Sequence, residues 1–201
     1  MLSYKSHFTA SEYTGYLEEG KQNLIEFVRH YWPMWRHAES MQFEIKKKEA
    51  FFREIPISGQ LDRIDFIGNR ITVIDYKTGN SSNAKQKVKA PDAKNPDGTD
   101  YWRQMIFYSI VLDYYPEFRN KDFSSIFYFV IKNEDTFAEV QVIPTDESKQ
   151  KVGQQIIDVY TKIRQKKFAP GCGESDCTWC NYLNSGSLLK LHEDVEEIDE
   201  S

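Results

Sequence analysis

Ile57-Ser-Gly-Gln-Leu-Asp62-Arg-Ile-Asp65-Phe-Ile-Gly68-Asn69-Arg-Ile-Thr-Val-Ile-Asp75-Tyr-Lys77-Thr78 is the stretch on which the fold turns. Two runs rich in Ile and Val flank Gly68-Asn69, a two-residue hairpin signal of the II′ kind with Gly first. The turn sets a register in which Ile67 pairs with Arg70. Phe66 then faces Ile71, Ile64 faces Val73, and Asp62 faces Asp75. Strand side chains alternate between faces, so Asp62, Ile64 and Phe66 share one face with Ile71, Val73, Asp75 and Lys77. Most of that face is apolar and belongs in a core. Its far end carries two carboxylates and an amine. Asp65 falls on the opposite face and reads as structural, paired with Arg63 or Lys48.

Directly opposed side chains have Cβ atoms about 4.5–5.5 Å apart, and like charges placed so destabilise a sheet. At a buried sheet end one of the two carboxyl pKa values would rise. A divalent cation removes the repulsion. Magnesium accepts one or two carboxylates and completes its shell with water and substrate phosphate. Lys77, two residues past Asp75 on the same face, reaches the phosphate or the attacking water without being a ligand. Asp62, Asp75 and Lys77 are therefore the candidate catalytic residues, for phosphodiester hydrolysis with Mg2+ or Mn2+. Asp-x-Lys alone is a weak signal, and an ordinary hairpin with solvated carboxylates is its bland reading. Opposition, common face and spacing together are much more specific.

Outward from the hairpin, Thr9-Ala-Ser-Glu12 has the capping-box pattern. Apolar residues at Tyr13, Tyr16, Leu17, Leu24, Val28 and Tyr31 follow at helical spacing, with Pro33 as the expected end. Residues 42–53 read as a strand. Gly79–Thr99 reads as an irregular, functional or mobile segment carrying Lys85, Lys87, Lys89 and Lys94. These lysines, with Lys46, Lys47 and Lys48, are candidate phosphate contacts. A helix is expected over 100–115, strands over 123–131 and 137–143, and a helix over 146–166 with Val152, Ile156, Tyr160 and Ile163 on one face. Helix, three strands, helix, two strands, helix is a mixed α/β layout around one sheet.

Gly59-Gln-Leu-Asp62-Arg-Ile-Asp65 and Val73-Ile-Asp75-Tyr-Lys77-Thr-Gly79 resemble the nuclease domains of RecB, AddA and AddB, within the PD-(D/E)XK superfamily. Tyr101-Trp-Arg-Gln104-Met-Ile-Phe-Tyr108 matches the Gln-x-x-x-Tyr motif that follows in that family. The resemblance covers roughly residues 40–180. It implies a restriction-endonuclease-like mixed sheet flanked by helices, and a DNA exonuclease of recombination or repair. It also implies metal ligation by Asp62, Asp75 and the carbonyl of Tyr76, catalysis by Lys77, and DNA contact by Gln104 and Tyr108. Gln104 and Tyr108 stand at i and i+4, one helix face. Many relatives carry a His four residues after a Gly on the first helix. Here Gly20 is followed at that spacing by Leu24, which leaves Glu19, His30 and Glu44 as unranked candidates for a third ligand. The family implies a UvrD/Rep-like helicase motor as partner, attached or separate; this sequence has no Gly-x-x-x-x-Gly-Lys-Ser/Thr loop of its own. A non-catalytic DNA-docking module that keeps the fold is the alternative.

The three cysteines, Cys172, Cys177 and Cys180, cluster within nine residues, which argues against a disulfide framework. A structural zinc or iron–sulfur cluster usually wants four ligands, so these three form an incomplete set, and a zinc-knuckle protein is a weaker reading. Of the 31 acids, six lie in residues 185–201, and of the 26 bases, one; the remainder balances at 25 and 25. The net charge of −5 is therefore that of the acidic tail, expected to be disordered, on a neutral body. Residues 1–184 are expected to form one nuclease domain, with the cysteine segment at 171–182. No apolar run spans a bilayer and no signal peptide is evident, so a cytoplasmic location without membrane contact is the expectation.

Overall fold

The computed structural model describes residues 8–79, 81–167 and 177–184. The chain divides into two compact units, Met1–Ile157 and Asp158–Ser201. The first is built on helix α1 (Ala10–Trp35), strands β1 (Ser40–Phe52), β2 (Ile55–Ile67) and β3 (Arg70–Lys77), a short helix α2 (Ala84–Lys87), helix α3 (Asp100–Asp113), strands β4 (Asp122–Phe129) and β5 (Glu139–Val142), and helix α4 (Asp146–Arg164), which runs past its end. Helix α5 (Thr178–Asn184) lies in the second unit.

The five strands form one sheet in sequence order. β1, β2 and β3 are successive antiparallel neighbours, β3 and β4 are parallel, and β4 and β5 are antiparallel. The hairpin behaves as its turn demands: Gly68 takes φ +55°, the positive value a II′ turn needs at that position, and the ladder runs Ile67↔Arg70, Phe66↔Ile71, Ile64↔Val73. Asn69 also ties the turn to the start of β4, its side-chain amide donating to Asn120 O at 3.1 Å while its carbonyl accepts Asp122 N–H. A parallel β3–β4 pair needs a crossover, and α3 lies within it.

The two faces of the sheet are covered differently. On one, Phe27, Tyr31 and Trp35 of α1 pack on Ile74, Tyr128 and Val130, with Tyr76 and Phe137 beside them. On the other, α3 buries Met105, Ile106, Tyr108, Val111 and Leu112.

Three expectations are corrected. The capping box at Thr9 and Glu12 forms, but α1 runs through Pro33 to Trp35. Its buried stripe is Phe27, Tyr31 and Trp35, while Tyr16, Leu24 and Val28 are exposed. The helix is apolar on more than one side, and the aromatic surface of β3 and β4 selects the side that packs. Segment 79–99 is also more structured than its composition suggests. It contains α2, buries Ser81, Ala84 and Val88, and is pinned by Thr99, whose hydroxyl both accepts Lys89 N–H at 2.8 Å and donates to Lys89 O at 3.1 Å. Lys89 itself pairs with Asp92. Finally, β5 starts at Glu139 rather than 137, because Phe137 is drawn into the α1 cluster.

Gly98 closes this segment against α3 with φ +72°, and a Cβ there would lie 2.6 Å from Cε3 of Trp102 and 3.1 Å from Cδ of Pro91. Gly98→Ala is expected to lower unfolding stability by about 1–3 kcal/mol, from left-handed strain and the collision with a buried ring. A urea midpoint unchanged from wild type would contradict this.

Candidate active site

The carboxylates sit where the β2–β3 ladder gives out. Backbone pairing stops at Arg63↔Ile74, and the next link is made by a side chain: Asp62 Oδ2 accepts the Tyr76 N–H at 2.9 Å. A Cβ on Gly59 would lie 3.7 Å from Tyr108 and Val111 of α3, the helix that also brings Gln104 to Asp75. Opposite Asp62, Glu44 of β1 adopts φ +50° and drops out of the β1–β2 ladder between Phe43↔Arg63 and Ile45↔Leu61. Such irregularities beside a site re-aim a side chain.

Asp75 is buried, 4% exposed. Burial pushes its pKa up, the nearby Asp62 charge adds to that, and Lys77 opposes both. Its Oδ2 lies 2.7 Å from Lys77 Nζ yet accepts no well-directed hydrogen bond. Its Oδ1 accepts from Gln104 Nε2 at 2.9 Å. Gln104 is a three-way bridge: Oε1 accepts from Lys77 Nζ at 3.0 Å, and Nε2 also reaches the Tyr108 hydroxyl at 2.7 Å. The partners dictate the amide's orientation, since a carboxylate needs the NH2 end and an ammonium needs the oxygen. The i, i+4 spacing of Gln104 and Tyr108 thus does what it promised, placing both on the α3 face over the strand ends.

One residue of the site has no role in the sequence reading. The Lys77 Nζ lies 4.5 Å from the ring centroid of Tyr101 and 5.1 Å from that of Phe127. Tyr101 stands three residues before Gln104, so the helical period that joins Gln104 to Tyr108 also reaches it. The ring faces confine the amine without taking its hydrogen bonds.

The donors present suit a hard divalent cation. Asp62, Asp75 and the Tyr76 carbonyl are all oxygen, and the buried Oδ2 of Asp75 lacks a directed hydrogen bond. Magnesium and manganese sites take such sets and leave the rest of the shell to water and phosphate. Among the described residues no group of three His, Cys, Asp or Glu side chains is placed to hold an ion. His30 packs against Tyr31 and Phe137, on the α1 side of the sheet, and Glu44 accepts a hydrogen bond from Gln60 at 2.7 Å. Glu19 is exposed on α1.

Other candidates separate from the site. Lys47 is an internal strut, 3.0 Å from Glu117 and over the rings of Tyr115 and Phe118. Asp65 pairs with Arg63, not Lys48. Cys177 and Cys180 are in no disulfide and flank the start of α5 in the second unit, while Cys172 and the acidic segment 185–201 lie outside the described residues. Among the described residues no helix is long and apolar enough to cross a membrane.

No curated protein matches the chain. Among solved structures it is similar to SSO0001, with 14% identity and a TM-score of 0.40 over 89% of this chain and 76% of that one, a likeness too distant to argue from. The profile of the PD-(D/E)XK nuclease superfamily, by contrast, matches residues 2–185. Its span takes in the hairpin, both carboxylates, Lys77 and the Gln104 helix on a mixed sheet flanked by helices, and the chain belongs to that superfamily.

Proposed function

We propose that this chain is a divalent-metal-dependent deoxyribonuclease whose catalytic residues are Asp62, Asp75 and Lys77. The observation that carries the reading is Asp75: a buried carboxylate beside a second one, with one oxygen lacking a directed hydrogen bond and a lysine at 2.7 Å. Lys77 offsets only part of the cost of burying Asp75 beside Asp62, and a divalent cation would neutralise both carboxylates. Asp62, Asp75 and the Tyr76 carbonyl would hold Mg2+ or Mn2+. Bound there, the ion would supply charge neutralisation at the phosphate and a more acidic water. The chain's own residues do the rest. Lys77, confined by Tyr101, Asp75 and Gln104, directs its ammonium at the scissile phosphate. Gln104 keeps Lys77 and Asp75 in register, and Tyr108 holds the Gln104 amide, so both shape the DNA-facing surface. The RecB-like order and spacing of the motifs supports exonuclease action in recombination or repair beside a helicase motor.

The test is cleavage of end-labelled single- and double-stranded DNA, with closed circular DNA alongside. Cutting is expected with Mg2+ or Mn2+, none in EDTA, and circles are expected to resist. Intact DNA binding without cutting of any substrate would point to a docking module instead.

A further inference from the structure

The separation that matters for a cation, between Asp62 and Asp75, lies just beyond the last backbone pair of the β2–β3 ladder, Arg63↔Ile74. Side chains take over there on both faces of the sheet. On the α3 side, Asp62 Oδ2 accepts the Tyr76 N–H at 2.9 Å. On the α1 side, Arg63 Nη1 donates to the Tyr76 hydroxyl at 3.1 Å. Asp62 and Arg63 are chain neighbours, so these two contacts close a loop that grips Tyr76 by main chain and side chain at once.

Arg63 is a firm anchor. It is 2% exposed, its Nε and Nη2 fork onto the two oxygens of Asp65 at 2.5 Å each, and its guanidinium lies 4.4 Å from the Trp35 ring centroid. A planar guanidinium holds these directions together. The ammonium of a lysine is a point charge and cannot make the fork and reach Tyr76 in the same plane.

We infer that Arg63 is a positioning residue for the cation site, acting through Tyr76 from the opposite face of the sheet. It fixes the main chain between Asp75 and Lys77, and with it the spacing of the two carboxylates. The inference rests on the metal-dependent nuclease reading. Partners one layer behind the ligands tune affinity because they hold the ligands in place before the ion arrives.

The experiment is Mn2+ binding to the intact chain by calorimetry, without DNA, for wild type, Tyr76→Phe and Arg63→Lys. Tyr76→Phe removes one hydroxyl and keeps the ring, so it tests the link even if Arg63→Lys fails to fold. Both variants are expected to bind Mn2+ about 10- to 100-fold more weakly, and the Mn2+ concentration for half-maximal cleavage to rise by the same factor. A role in folding alone would lower the unfolding midpoint and leave the affinity of the folded protein unmoved. Folded Tyr76→Phe that binds Mn2+ as tightly as wild type overturns the inference. A wild type that binds no Mn2+ overturns the nuclease reading, and this inference with it.

Discussion

Asp75→Asn is expected to reduce metal-dependent cleavage by at least about 10³-fold without unfolding the protein. The substitution keeps the volume and the ability to bond Gln104, so what it removes is a charge. That charge is buried, and its oxygen beside Lys77 has no directed hydrogen bond. Removing it relieves a desolvation cost and the repulsion with Asp62 but also ends the ion pair with Lys77, whose ammonium keeps the Gln104 oxygen, so the opposing changes are expected to leave the thermal midpoint nearly unmoved. Lys77→Ala tests the other half of the pair. It is expected to cost about 10²–10³-fold, because an ammonium held against the phosphate acts in a partly dehydrated site where its charge is poorly screened. Single-turnover cleavage at saturating Mn2+, beside circular dichroism, separates these effects from misfolding. Cutting by Asp75→Asn at a tenth of the wild-type rate or more would remove Asp75 from the chemistry.

Asp65→Ala carries the largest expected loss of stability, about 3–5 kcal/mol. Arg63 is among the largest fully buried side chains of the described residues, and Asp65 is the carboxylate that pairs with it. With the carboxylate gone, the guanidinium keeps the Tyr76 hydroxyl and the face of Trp35, neither of which replaces an ion pair away from water. Replacing both residues at once, as Arg63→Met with Asp65→Leu, is expected to recover much of the loss, since no charge then remains buried. Urea unfolding of the three variants measures this. A loss under about 1 kcal/mol for Asp65→Ala would mean that Arg63 finds water or another partner.

These two residues also mark what is readable along the chain. The hairpin from Ile57 to Lys77 follows from rules that act over neighbouring residues. Gly68 tolerates the positive φ of the turn, the turn sets the register, and alternation then sends Ile64 and Asp75 to one face and Asp65 to the other. The capping box at Thr9, and the helix face shared by Gln104 and Tyr108, are local in the same sense. Three-dimensional contacts between distant residues decided the rest. The side of α1 that packs was chosen by Ile74, Tyr128 and Val130, because Leu24 and Val28 were equally apolar candidates. Lys47 became a strut only when Glu117, Tyr115 and Phe118 arrived beside it. The ladder's early end at Arg63 and Ile74, the Asp62 bond to the Tyr76 main chain, and the Arg63–Tyr76 tie depend on how two strands meet the layers on either side. By itself, then, the sequence determined the hairpin, its register and the faces on which its candidate residues stand, since φ, alternation and helical period are properties of neighbouring residues. What holds them at a fixed separation was decided by the tertiary structure, since burial and hydrogen-bond partners come from residues far away in the chain.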